Sequence, residues 1–250
     1  MVSAEDVSAL FNELALNDAE RRYIEGQSDR LAYLVNLVQK YVDRLDRRAK
    51  LLDFGPHFLT RCIIDLVAPS PEIWTIGYAY DKLVPANSVI EHKMVDINAC
   101  NSSPQPFSDD FFDIIMICEL IEHLLIPPNL VFAFAKPMLA SPNGVIICGT
   151  PNAVSISKRL KMMMGENPFQ PLFEDWKHFR GHVREYTMSE ICNYGNLAGL
   201  SVEMSEYCNY WQQYLFPSSV EISQIENKIP MFMGGLTIVF SLLSRRLDVE

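Results

Sequence analysis

The groups able to move a proton in this sequence are five histidines, His57, His92, His123, His178 and His182, set among carboxylates. An imidazole with an unperturbed pKa of about 6.5 can take a proton from an oxygen or nitrogen nucleophile near neutral pH. His123 follows an apolar run and Glu122, whereas His182 precedes Arg184, Glu185 and Tyr186, so these two are the leading candidate bases, with His178 a third. His92 reads as solvent-facing. In the segment LLDFGPHFLT an acid, Asp53, ends an apolar run and Gly55 follows where a helix begins, a turn able to cradle a nucleoside. The glycine permits close backbone approach, and the acid can order polar groups around a ligand. His178 and His182 stand at metal-ligand spacing without a clear third partner, so no metal site is expected.

The elements that position these residues follow from apolar periodicity. Leu31, Leu34, Val35, Val38, Val42 and Leu45 recur at helical spacing with Arg30, Lys40, Asp43 and Arg44 between them, which predicts an amphipathic helix without obvious chemistry. An earlier helix over 4–16, capped by Ser3, precedes it, and Gly26 with Ser28 marks the expected break between the two. From Ala49 short apolar runs alternate with helical stretches: strands over 50–54, 73–77, 93–96, 112–118 and 144–148, and helices over 59–67, 120–124 and 129–139. This alternation predicts an α/β fold with a doubly wound, mostly parallel sheet whose ligands sit at the carboxyl ends of its strands. Thr187 with Glu190 reads as a capping box for a helix to Leu197 ended by Gly199, and 200–204 and 235–243 supply the last strands. The expected division is an N-terminal helical segment, 1–48, and a domain, 49–250, carrying an insertion or lid over 152–184 after the fifth strand.

Composition narrows the partners. The chain has 250 residues, 49% of them hydrophobic, and a formal charge of −10, which opposes binding a polyphosphate backbone. No nucleic-acid partner is expected. The six cysteines form no CxxC pair and lie in apolar runs, as in a reducing compartment. With no basic leader and no apolar run of about 18 residues, the expectation is a cytoplasmic protein without a membrane span. Between 158 and 184, Lys158, Arg159, Lys161, Lys177, Arg180 and Arg184 outnumber Glu166, Glu174 and Asp175. Such a patch would draw an anionic acceptor such as a phosphorylated or nucleotide-linked sugar.

The block PFSDDFFDIIMICELIEHL, Pro106 to Leu124, resembles the PF-x-D-x-x-FD, apolar strand and E-x-x-EHL stretch of class I S-adenosylmethionine-dependent methyltransferases. The LDxGxGxG motif of that family is matched at Asp53 and Gly55, with His57 and Leu59 where its other glycines would be. TPNA at 150–153 and HVREYT at 182–187 resemble one bacterial subgroup of methyltransferase-like proteins, and the whole resemblance runs from Ala49 to Gly199. It implies a Rossmann-like methyltransferase fold and S-adenosyl-L-methionine as cofactor. Residue by residue, it implies that Asp53 and Gly55 lie against the methionine end, Asp96 and Ile97 border the adenine, and Cys118 and Glu119 face the methionine or the sulfonium. Asp81 would replace the ribose-binding acid expected at Ala79.

The reading is methylation of a small polar acceptor, a saccharide or sugar nucleotide, on oxygen. His182 or His123 would act as base, and Arg180, Arg184 and Tyr186 would hold the acceptor. A methyltransferase-like binding or assembly partner without catalysis is the alternative that His57, Leu59 and Ala79 favour. A nicotinamide-dependent oxidoreductase is disfavoured by the absent GxGxxG fingerprint.

Overall fold

Local capping decides where the chain enters its first two helices. The computed structural model describes residues 1–78, 82–169, 181–208 and 233–242, and the backbone of 173–175 and 178–180. α1, Ala4–Asn12, starts at Ser3, whose side chain accepts from the Asp6 amide at 3.2 Å while Asp6 accepts from the Ser3 amide at 2.8 Å. α2 runs unbroken from Asp18 to Val42. The expected break at Gly26 and Ser28 is therefore corrected: it falls at 13–17, where Asn17 caps the Ala19 and Glu20 amides. A glycine inside a helix costs about 1 kcal/mol, and burial of one face of this helix along Ile24, Leu31, Leu34, Val35 and Val38 outweighs it.

Next come β1, Lys50–Phe54, α3, Phe58–Leu66, β2, Glu72–Gly77, β3, Glu91–Met94, and β4, Ile114–Cys118. α4, Pro128–Ala135, leads to β5, Val145–Pro151, and then to α5, Ile156–Met163. A two-stranded hairpin, β6, Phe173–Asp175, and β7, His178–Arg180, precedes α6, Met188–Leu197, and β8, Leu200–Cys208, and β9, Gly235–Leu242, follow. The strands anticipated from apolar runs are present within one to three residues at most ends, and β8 extends four residues further than expected. The helix expected over 120–124 is a single 3-10 turn, Ile121–His123. The Thr187–Glu190 capping box forms, and Gly199 ends the helix with φ +74°.

The main sheet has the order β3-β2-β1-β4-β5-β9-β8, parallel from β3 to β5, with β9 antiparallel to both β5 and β8. Alternating residues feed two cores. Leu51, Ile73, Ile114 and Ile147 meet α1, α2 and α3, whereas Leu52, Ile76, Ile115 and Ile146 meet α4 and α6. Burial on both faces explains why these strands read as continuous apolar runs. The N-terminal helices thus share a core with the sheet, and α2 crosses to the carboxyl ends of β1, β4 and β5. Among the described residues no helix is long and apolar enough to cross a membrane.

Phe11 is 1% exposed and stacks edge-to-face on Phe58 at 5.3 Å. Phe11→Ala should lower the unfolding free energy by about 3–5 kcal/mol. Urea titration measures this, and a loss below about 1 kcal/mol would mean that α1 is not part of the cooperative core.

Candidate functional site

The carboxyl ends of β1, β4 and β5 open into a cavity of about 510 Å³. Its floor is Asp53 in β1 and Gly55 just after it, Cys118 at the end of β4 and Glu119 just after it, and Pro151 at the end of β5. One wall is α2, through Tyr23, Gln27, Arg30, Leu31 and Leu34, and the opposite wall is Ser155, Ser157 and Lys158 with His182 and Glu185. A cavity in the range of about 300–1,000 Å³ suits a small organic ligand. Gly55 has φ +79°, so any side chain there is strained, and an added Cβ would meet only Leu120 Cδ1, at 3.9 Å. Asp53 is 4% exposed and accepts from the Thr60 hydroxyl at 2.5 Å, and that hydroxyl accepts from the His57 amide at 2.9 Å. Burial pushes the Asp53 carboxyl up to about 7, with Thr60 opposing.

Arg30 is the centre of the α2 wall. It is 2% exposed, its Nη1 lies 2.6 Å from Glu119 Oε2, and its Nη2 donates to the Tyr23 hydroxyl at 2.5 Å. Glu119 adopts φ +52°, a left-handed conformation unusual for a non-glycine residue, while its amide donates to the Gly149 carbonyl at 2.8 Å. The sharp turn after β4 thereby aims the carboxylate at α2. Gln27, one helical turn before Arg30, is 2% exposed, and its Oε1 has no hydrogen-bond partner among the described residues. A buried acceptor left unsatisfied costs about 1–3 kcal/mol, so a donor from a ligand would be stabilised there.

On the opposite wall, His182 Nδ1 is 2.8 Å from Glu185 Oε1, and Glu185 Oε2 is paired with Lys158, whose Nζ also donates to the Asn152 carbonyl at 2.9 Å. Burial lowers His182 to about 4, with His123 and Lys158 adding to the shift. Burial also draws Lys158 down to about 8, with Glu119 and Glu122 opposing. His123 packs edge-to-face on His182 at 4.8 Å and holds the Gly181 carbonyl through Nδ1 at 2.9 Å. Behind them Glu122 is fully buried, accepting from Thr150 Oγ1 at 3.0 Å. Its main-chain carbonyl takes the Val183 and Arg184 amides, which ties the two histidine loops together.

Of the residues singled out from sequence, the fold brings Asp53, Gly55, Cys118, Glu119, His123 and His182 to this cavity. Asp96 is exposed and caps the 3-10 turn 97–102 through the Asn98 amide at 2.9 Å, and Ile97 enters the core, so neither lines the cavity. Tyr186 is buried in the core against Tyr194, and Arg184 is exposed, bound to Glu190 at 2.5 Å. Asp81 and the Arg180 and His178 side chains lie outside the described residues. His92 is half-buried, with Nδ1 2.8 Å from the Thr75 hydroxyl, which corrects its solvent-facing assignment. The basic patch divides: Lys158 turns inward while Arg159 remains exposed. Tyr23, Gln27, Arg30 and Glu185 were not anticipated in the site, and Lys158 was expected only as a member of the basic patch. The available signal was Gln27 and Arg30 lying three residues apart beside Leu31 and Leu34, polar groups encroaching on an apolar face.

A methyltransferase domain family model matches residues 26–204, more than half of the chain, including most of α2 and every strand from β1 to β7. The chain belongs to this methyltransferase family. No curated protein matches it in sequence. Similar solved structures include the complex of the Haloferax volcanii Trm112 methyltransferase activator with its methyltransferase partner, with TM-score 0.56 and 13% identity over 94% of this chain and 97% of that one. A SAM-dependent methyltransferase from Archaeoglobus fulgidus has TM-score 0.50 and 15% identity over 88% of this chain and 99% of that one. The [4+2]-cyclase SpnF has TM-score 0.52 and 15% identity over 83% of this chain and 81% of that one. At such identities the likeness is one of fold, and the cyclase shows that this fold hosts more than one reaction.

In this member of the family the raised Asp53 pKa has a consequence for stability. The folded state holds the proton more tightly than the unfolded chain, whose carboxyl has the ordinary value of 3.8. The resulting stabilisation is present below that value and is lost as pH rises through about 7. Asp53→Asn should therefore lose less stability than the parent between pH 5 and pH 8. Denaturant titrations of the ligand-free chain at both pH values measure the difference, and parallel pH slopes would refute the assignment.

Proposed function

We propose that the protein transfers a methyl group from S-adenosyl-L-methionine to a hydroxyl of a small polar acceptor, a saccharide or sugar nucleotide. The observation that carries this reading is the cavity at the strand ends, where groups suited to a zwitterion on one wall face a histidine pair on the other. The residues fit the cofactor: the unsatisfied Gln27 Oε1 suits an ammonium donor, the Arg30 guanidinium suits a carboxylate, and Gly55 leaves its side of the floor open. Asp53, Cys118 and Glu119 complete the methionine end. When bound, the cofactor supplies a methyl carbon on a positively charged sulfur.

What this chain adds is position and proton removal. Methyl transfer needs the acceptor atom about 3–3.5 Å from the carbon and in line with the departing sulfur. The Glu185 carboxylate holds the His182 Nδ1 proton, which leaves Nε2 as the lone-pair nitrogen, and Lys158 holds Glu185 in turn. Burial keeps His182 neutral at physiological pH, so its lone pair is available to an acceptor hydroxyl. The described part of the insertion covers the acceptor side of the cavity through Ser155, Ser157, Lys158, Pro168 and His182.

Calorimetric titration with S-adenosylmethionine and S-adenosylhomocysteine tests the cofactor. Saturation at a hundredfold excess over Kd should add about 2.7 kcal/mol of stability, and Arg30→Met or Gly55→Val should weaken binding at least tenfold. Absence of heat and stabilisation at millimolar ligand would favour a binding partner without catalysis. With an acceptor found by screening sugars and sugar nucleotides for incorporation of labelled methyl, His182→Gln should slow turnover by about 10² to 10⁴. Parental rates in that variant would remove His182 from the chemistry.

A further inference from the structure

The histidine pair and the buried acid beside it bring three potential ligand atoms together. The Gly181 carbonyl can only accept, so His123 Nδ1, at 2.9 Å, carries the hydrogen and Nε2 carries the lone pair. His182 has the same tautomer for a different reason, since its Nδ1 is 2.8 Å from the Glu185 carboxylate, whose other oxygen is paired with Lys158. Glu122 is fully buried, its Oε1 has no hydrogen-bond partner among the described residues, and His123 Nε2 stands 3.9 Å from that oxygen. A donor atom from each of the three residues lies within 4.8 Å of the others.

We infer that Glu122, His123 and His182 form a binding site for one divalent transition-metal ion, with zinc the best match, whose remaining coordination position opens into the methyl-acceptor cavity. Two neutral imidazoles and one carboxylate are a zinc donor set, and magnesium prefers oxygen ligands alone. Tetrahedral zinc ligands lie about 3.4 Å apart, so the cluster closes by roughly an ångström on binding. The outer hydrogen bonds are those a metal-binding histidine requires: one ring N–H on a backbone carbonyl and the other on a carboxylate.

The role of the ion, though not its presence, rests on the proposed methyl transfer. A cation here lowers the pKa of an acceptor hydroxyl held at the open position. The hydroxyl proton leaves to water, and the oxygen forms the new carbon–oxygen bond as the carbon–sulfur bond breaks, its electron pair staying on sulfur. With the ion bound, the His182 lone pair holds the metal instead of taking the hydroxyl proton.

The test uses the untagged full chain, stripped with chelator and titrated with Zn²⁺ by calorimetry and with Co²⁺ by visible absorption, in parallel with S-adenosylhomocysteine. One ion per chain with a tetrahedral cobalt spectrum is expected. Glu122→Gln and His182→Gln should abolish it, Glu185→Gln should weaken it about 10- to 100-fold, and His92→Gln should bind like the parent. Circular dichroism and S-adenosylhomocysteine affinity identify any variant that fails to fold, in which case Glu185→Gln carries the decision. No stoichiometric ion in the parent, or parental affinity in folded Glu122→Gln and His182→Gln, overturns the inference. Cofactor binding without the ion overturns the metal site and leaves methyl transfer standing, and the ion without cofactor does the reverse.

Discussion

Arg30 is a guanidinium buried between a helix and the end of a sheet, and the shape of the cavity depends on its partner. α2 can bring a cation to the carboxyl ends of β1 and β4 only because Glu119 meets it there at 2.6 Å. Removing one member of such a pair leaves the other charged and desolvated, at a cost of about 3–5 kcal/mol. The left-handed backbone of Glu119 is held against that cost: the turn is strained, and the ion pair with the Gly149 contact keeps it in place.

The same logic divides the cavity into two electrostatic compartments. On the α2 side, Arg30 neutralises Glu119, and Tyr23 and Gln27 offer polar atoms beside it. On the opposite side, Lys158 neutralises Glu185, which in turn orients His182. Between them, Asp53 and Glu122 are buried acids whose hydrogen bonds come from the hydroxyls of Thr60 and Thr150. Hydroxyls stabilise a carboxylate less than a cation does, so burial holds both acids above their ordinary range. Both acids thus hold a proton more tightly than in the unfolded chain, a property of the assembled fold that its separate loops lack.

Much of the fold was legible because its determinants are local. Runs such as LLDF and IIMIC, buried on both faces, mark parallel strands, and Ser3, Thr187 and Gly199 mark helix ends through hydrogen bonds within a few residues or through positive φ. The break between α1 and α2 was misplaced because Gly26 is locally unfavourable in a helix, whereas the burial that overrides it comes from Phe58, Ile63 and the sheet. The insertion was readable as a connection but not as α5 with a hairpin, whose short elements have little periodicity to detect.

By itself, the sequence determined the alternation of strands and helices, the glycine turn after the first strand, and the E-x-x-EH block whose likeness names the family. Only the tertiary structure decided which side chains share a cavity. Arg30 and Glu119, His123 and His182, and Lys158 and Glu185 are joined across long stretches of chain. Their interactions leave no period in the sequence, because a charge buried by a distant partner has the same residue type as one left in water.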